Sequence, residues 1–87
     1  MTMQALSLAD RIRAYVVAAI IDPARAAGRT TVTVRAGDIH AALDLENRLP
    51  AVCGALDAHK FYVESGVALT QRRGPKFGAT AEWTLAL

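Results

Sequence analysis

At 87 residues, 53% apolar and 21% charged, the chain is too hydrophobic for a disordered segment and too short for two cores, so one domain over residues 1–87 is expected. A net charge of +2 permits an anionic partner without demanding one, which makes the placement of the cations more informative than their sum. Cys53 is the only cysteine, which excludes an internal disulfide and a thiolate metal cluster and points to a reducing, cytoplasmic setting. The longest apolar run, Ala14 to Ile21, is far below the roughly 20 residues of a membrane span. Asp22 and Pro23 follow it where a signal peptide would have small residues, so no membrane partner is expected.

In chain order, Ser7 with Asp10 three residues on has the spacing of a helix cap. Leu8, Ile12, Tyr15, Val16, Ala19 and Ile20 then recur at helical intervals, predicting a first helix over about 7–28 that either stops near Asp22 or restarts there with Pro23 in its first turn. Val17 and Ile21 fall off this stripe and leave room for a homodimer contact. Thr30 to Val34 is β-branched throughout and reads as a strand. Ile39, Ala42 and Leu43 form the apolar face of a short second helix over about 36–43.

After a turn at Asp44 to Glu46, Leu49, Val52, Cys53 and Leu56 make a single stripe, predicting a third helix over about 47–60 with Asn47 as cap and Pro50 in the first turn. Two alternating segments, Val67 to Arg72 and Thr80 to Leu87, read as a hairpin over 67–87, with Trp83, Leu85 and Leu87 on one face. Its loop sets Arg72, Arg73 and Lys76 around Gly74, Pro75 and Gly78, with no acidic residue between Glu64 and Glu82.

The stretch from Val34 to Glu64 resembles the pattern of winged helix-turn-helix domains, in which a short helix precedes a recognition helix. Asp38, Ile39, Ala42 and Leu43 match the first part, and Leu56, Phe61, Tyr62 and Val63 the last. The resemblance, covering roughly Ser7 to Leu87, implies an α+β fold: three helices, a short strand after the first, and a C-terminal two-stranded wing. It also implies a protein that binds double-stranded DNA, as a transcription regulator or DNA-binding accessory.

In that fold a three-turn helix enters the major groove, and a flexible wing reaches phosphates or the minor groove. The expected contacts are Asn47, Arg48 and Ala51 on the third helix, His59 and Lys60 at its end, and Arg72, Arg73, Lys76 and Phe77 on the wing. The three wing cations are expected to meet phosphates from a solvated loop that supports no core. Turned away from the apolar stripe are Asn47, Pro50, Ala51, Gly54 and Ala58, a small and almost uncharged face that suits close approach to a groove or a protein partner instead.

Nothing in the sequence carries catalysis. Cys53 falls on the apolar stripe and reads as a buried thiol, and Trp83 and Tyr15 as core. His40 and His59 lack the partners of a metal site, and GPKFG lacks the length and ending of a nucleotide loop, so neither metal nor cofactor is expected.

Overall fold

In a computed structural model that describes residues 7–87, Ser7 caps the first helix as its spacing predicts. Its backbone is extended and its Oγ accepts the Asp10 amide hydrogen at 3.1 Å. Helix α1 (residues 8–26) then runs through Pro23 without stopping, in three continuous parts: α-helical Leu8–Val16, a wide π-helical turn Val17–Ile21, and α-helical Asp22–Ala26. The wide turn has a local cause. Pro23 has no amide hydrogen, and in a regular helix its ring would press on the Ala19 carbonyl. The Asp22 amide instead reaches back five residues to the Val17 carbonyl, opening the turn just ahead of the ring.

That extra residue slips the buried stripe by one position. Ile12, Val16, Ile21 and Ala24 are buried, while Ala19 is exposed and Ile20 half-buried. Ile21, expected off the stripe and free for a dimer, is thus part of the core, and Tyr15 is only half-buried. The helix ends on Gly28 at φ +76°, with the Arg29 amide bonded to the Ala24 carbonyl and the Gly28 amide to the Arg25 carbonyl, a Schellman cap.

Strand β1 (Thr31–Arg35) leads directly into helix α2 (Ala36–Ala42). The next turn is built by two non-glycine residues in the left-handed region, Asp44 and Asn47, both at φ 53°. Asp and Asn tolerate that conformation better than other side chains. Asn47 is therefore a turn residue and not the expected cap.

Helix α3 (Leu49–Asp57) begins one to two residues later than expected and stops early, and Ala58 is extended at φ −71° and ψ 134°. A fourth helix, α4 (His59–Ser65), follows, so the expected single helix over 47–60 is two helices. The break serves burial. An unbroken helix continuing the stripe of Val52, Cys53 and Leu56 would turn Lys60 and Val63 inward. Breaking at Ala58 lets Phe61 be buried instead and leaves Val63 66% exposed. Tyr62 completes the joint, its hydroxyl donating to the Leu56 carbonyl at 2.6 Å. Burial, aided by the Asp57 charge, pushes this phenol up to about 12.

Strands β2 (Ala68–Arg73) and β3 (Glu82–Ala86) close the chain, and the sheet is antiparallel in the order β1-β3-β2. The described residues thus form an α+β domain of four helices and a three-stranded sheet. Its core lies between the inner sheet face, with Val34, Trp83 and Leu85, and the helices, with Ile12, Val16, Ile21, Ile39, Val52, Cys53, Leu56 and Phe61. Among the described residues no helix is long and apolar enough to cross a membrane.

Candidate nucleic-acid interface

A β-bulge decides which hairpin arginine faces solvent. On β2, Leu69 opposes Leu85 and Gln71 opposes Thr84, leaving Thr70 as an extra residue. The alternation is therefore inverted beyond Thr70. Arg72 opposes the buried Trp83 and turns inward, whereas Arg73 opposes Glu82 on the outer face.

Arg72 is fully engaged within the molecule. Its Nε and Nη2 donate to Asp57 Oδ1 and Oδ2 at 3.0 and 3.2 Å, and its guanidinium carbon lies 4.6 Å from the Trp83 ring centroid. Nη1 donates to the carbonyls of Arg73, Gly74 and Pro75 at 2.8, 3.3 and 3.1 Å, and Nη2 also to that of Lys76 at 3.2 Å. Trp83 Nε1 donates to Asp57 Oδ1 at 2.7 Å. The expectation that Arg72 meets phosphate from a loop supporting no core is thus corrected: it ties the end of α3 to the hairpin loop. Burial pushes the Asp57 carboxyl up, but hydrogen bonds from Arg72 and Trp83 and the charges of Arg72 and Lys76 outweigh it, so Asp57 titrates below the usual carboxylate range.

The loop over residues 74–81 is pinned rather than free. Besides the Arg72 fork, the Gly78 carbonyl accepts from the Cys53 thiol at 3.7 Å and from the Ala81 amide at 3.1 Å. The carbonyls of Ala79 and Ala81 each accept at 2.9 Å from the amides of Gly37 and Ala36, satisfying the first donors of α2 in place of a side-chain cap. Gly74 has φ +82°, and a Cβ there would lie 2.8 Å from the Thr80 carbonyl oxygen, so a side chain is excluded twice over. The exposed long side chains here are Lys76 and Phe77 of the loop and Arg73 at the end of β2. Arg73 lies along Gln71, whose amide oxygen, oriented to satisfy both groups, accepts from its Nε at 3.0 Å; the partner is uncharged and the cation keeps its charge.

At the start of α3, Asn47 and Arg48 are exposed and Ala51 is half-buried. His40 of α2 holds the start of α3 in place of the expected Asn47: its Nε2 accepts the Arg48 amide hydrogen at 3.2 Å. Arg48 is not paired with Glu46 or any other carboxylate among the described residues. Along α3 the solvent side shows Pro50, Gly54 and Asp57, with Ala58 half-buried, and so offers few donors to base edges.

His59 and Lys60 open α4, directly after the break at Ala58 that ends α3. His59 is exposed. Lys60 faces α1, with Nζ 3.4 Å from Asp10 and 3.7 Å from Glu64, so this expected DNA contact is already shared between two carboxylates. Asp10 is held down to about 2, chiefly by Arg13 at 2.7 Å, then by Ser7 and Lys60. The expected residues therefore separate into three groups: Asn47, Arg48 and Ala51 on α3; Arg73, Lys76 and Phe77 on the loop, with Arg72 beneath them; and His59 and Lys60 on α4.

Cys53 is buried, as its place on the stripe predicts, and burial pushes its thiol up. Sequence reasoning missed Asp57, the residue that organises the hairpin. One signal was available, since a carboxylate in the last turn of a helix opposes the macrodipole and calls for a cation. No family model, curated protein or solved structure matches this chain.

Proposed function

We propose that this chain is a winged helix-turn-helix domain that binds duplex DNA, as a transcription regulator or DNA-binding accessory. The first turn of α3 and the loop of the hairpin form the contact surface. Support for the fold reading comes from the element order and from β1 pairing beside the hairpin; the connection from α2 to α3, residues 43–48, is longer than the expected turn at Asp44 to Glu46.

The observation that carries the functional reading is the division of labour among the cations. Arg13, Arg35, Lys60 and Arg72 lie within 4 Å of carboxylates. Arg11, Arg25, Arg29, Arg48, Arg73 and Lys76 do not, and all six are exposed; of these, Arg48 stands at the start of α3 and Arg73 and Lys76 at the hairpin loop. Cations without a carboxylate within 4 Å, at a helix start and at a pinned loop, suit phosphates, which bind through charge and counterion release. Because the solvent side of α3 is small and poor in donors, binding relies on the backbone more than on base edges. The same smooth side, with Pro50 and Gly54 exposed, supports a second reading as an adaptor that packs on another protein.

Fluorescence anisotropy with labelled duplexes of several sequences, for the native chain and Arg48→Ala, tests the proposal. Uniform weakening across sequences is expected, since Arg48 would hold phosphate. Altered sequence preference would instead make it a base reader, and absence of binding by the native chain at low salt would favour the adaptor.

A further inference from the structure

The loop carries an aromatic ring beside a cation, a combination that phosphate binding alone does not require. Lys76 and Phe77 are the two central residues of a turn closed by Pro75 against Gly78, where a Cβ on Gly78 would overlap the Pro75 ring. The Arg72 fork fixes the carbonyls before this turn, and the bonds from Cys53 and Ala81 to the Gly78 carbonyl fix it behind. Phe77 is nevertheless 51% exposed, and Lys76 Nζ stands 5.2 Å from its ring centroid. A large apolar side chain is thus held in water on a braced support, with its conformational cost already met by folding.

We propose that Phe77 and Lys76 together form a stacking site for one unpaired nucleotide, so that the domain prefers duplex DNA interrupted by an unpaired base. The inference rests on the duplex-DNA reading above and adds a substrate class to it. A nucleotide presents a planar π face and, a few ångströms away, a phosphate anion. The Phe77 ring matches the first, and Lys76 beside it the second. Within a continuous duplex each base face is covered by its neighbours, and exposing one is costly, so a base already out of the stack is the favoured partner. An apolar pocket on a protein is a poorer match, because a cation, Lys76, stands beside the ring and the carboxylate beneath the loop, Asp57, is taken up by Arg72 and Trp83.

The test compares anisotropy titrations of a fully paired duplex with the same duplex carrying a short unpaired bulge, for the native chain, Phe77→Ala and Phe77→Tyr. The bulged duplex is expected to bind more tightly. Phe77→Ala should cost it about 5- to 150-fold, the usual effect of losing one aromatic–base stack, and cost the paired duplex much less, while Phe77→Tyr restores the preference. Equal binding of the two duplexes, or equal weakening of both by Phe77→Ala, overturns the stacking site and leaves the duplex reading standing. No binding to either DNA overturns both.

Discussion

Arg72 and Arg73 are adjacent and chemically identical, yet the Thr70 bulge gives them opposite fates. Arg72→Ala removes the fork to Asp57 and strands four loop carbonyls, so it should cost about 1.5 to 3 kcal/mol, the range of a hydrogen bond to a charged group. Arg73→Ala, at an exposed outer-face position, should stay within about 0.5 kcal/mol. Urea unfolding followed by Trp83 emission reads both, and equal losses would contradict the assignment. Asp57 adds a pH signature. Its carboxyl is lowered in the folded state, so its contribution is fully present above the unfolded value of about 3.9 and is lost as pH falls through the folded one. The stability advantage of the native chain over Asp57→Asn should therefore hold above about pH 4 and shrink below it, and a constant difference through that window would contradict the shift.

At the scale of elements, periodicity was a reliable guide where one stripe served one straight helix. The Ser7 cap, the first strand, α2, the buried Val52, Cys53 and Leu56, and the inward Trp83 and Leu85 were all readable from the sequence. Three phase shifts were not. The π turn before Pro23 moved the buried position from Ile20 to Ile21, the break at Ala58 exchanged Lys60 and Val63 for Phe61, and the Thr70 bulge exchanged Arg73 for Arg72. Each shift adds or re-aims one residue, a change that fixed-period patterns cannot register; the first two bring Ile21 and Phe61 to the core, and the third sets Arg72 against Trp83. Proline at position 23 and the carboxylate at the end of α3 were the local signs of two of them. The same shifts explain the site. Arg48, Arg73, Lys76 and Phe77 were readable as exposed chemistry, whereas the engagement of Arg72 and Lys60 depends on contacts with Asp57 and Asp10, 15 and 50 residues distant in sequence.

For the whole molecule, a net charge of +2 is too small to direct DNA binding by itself, so the account depends on which cations lack a nearby carboxylate and where they stand. Arg13, Arg35, Lys60 and Arg72 face carboxylates, while of the six exposed cations that do not, Arg48, Arg73 and Lys76 present charge on α3 and at the pinned loop and Arg11, Arg25 and Arg29 lie on or just after α1. The salt dependence of duplex binding tests this most directly, because phosphate contacts release counterions and an apolar protein interface does not. The native chain should show an affinity that falls steeply with salt, and Arg73→Ala combined with Lys76→Ala should lower the magnitude of the log-log slope by up to about 1.8, at roughly 0.9 per contact, with unfolding unchanged. A duplex affinity and slope untouched by the double substitution in a folded protein would contradict the account and turn the smooth side of α3 toward a protein partner.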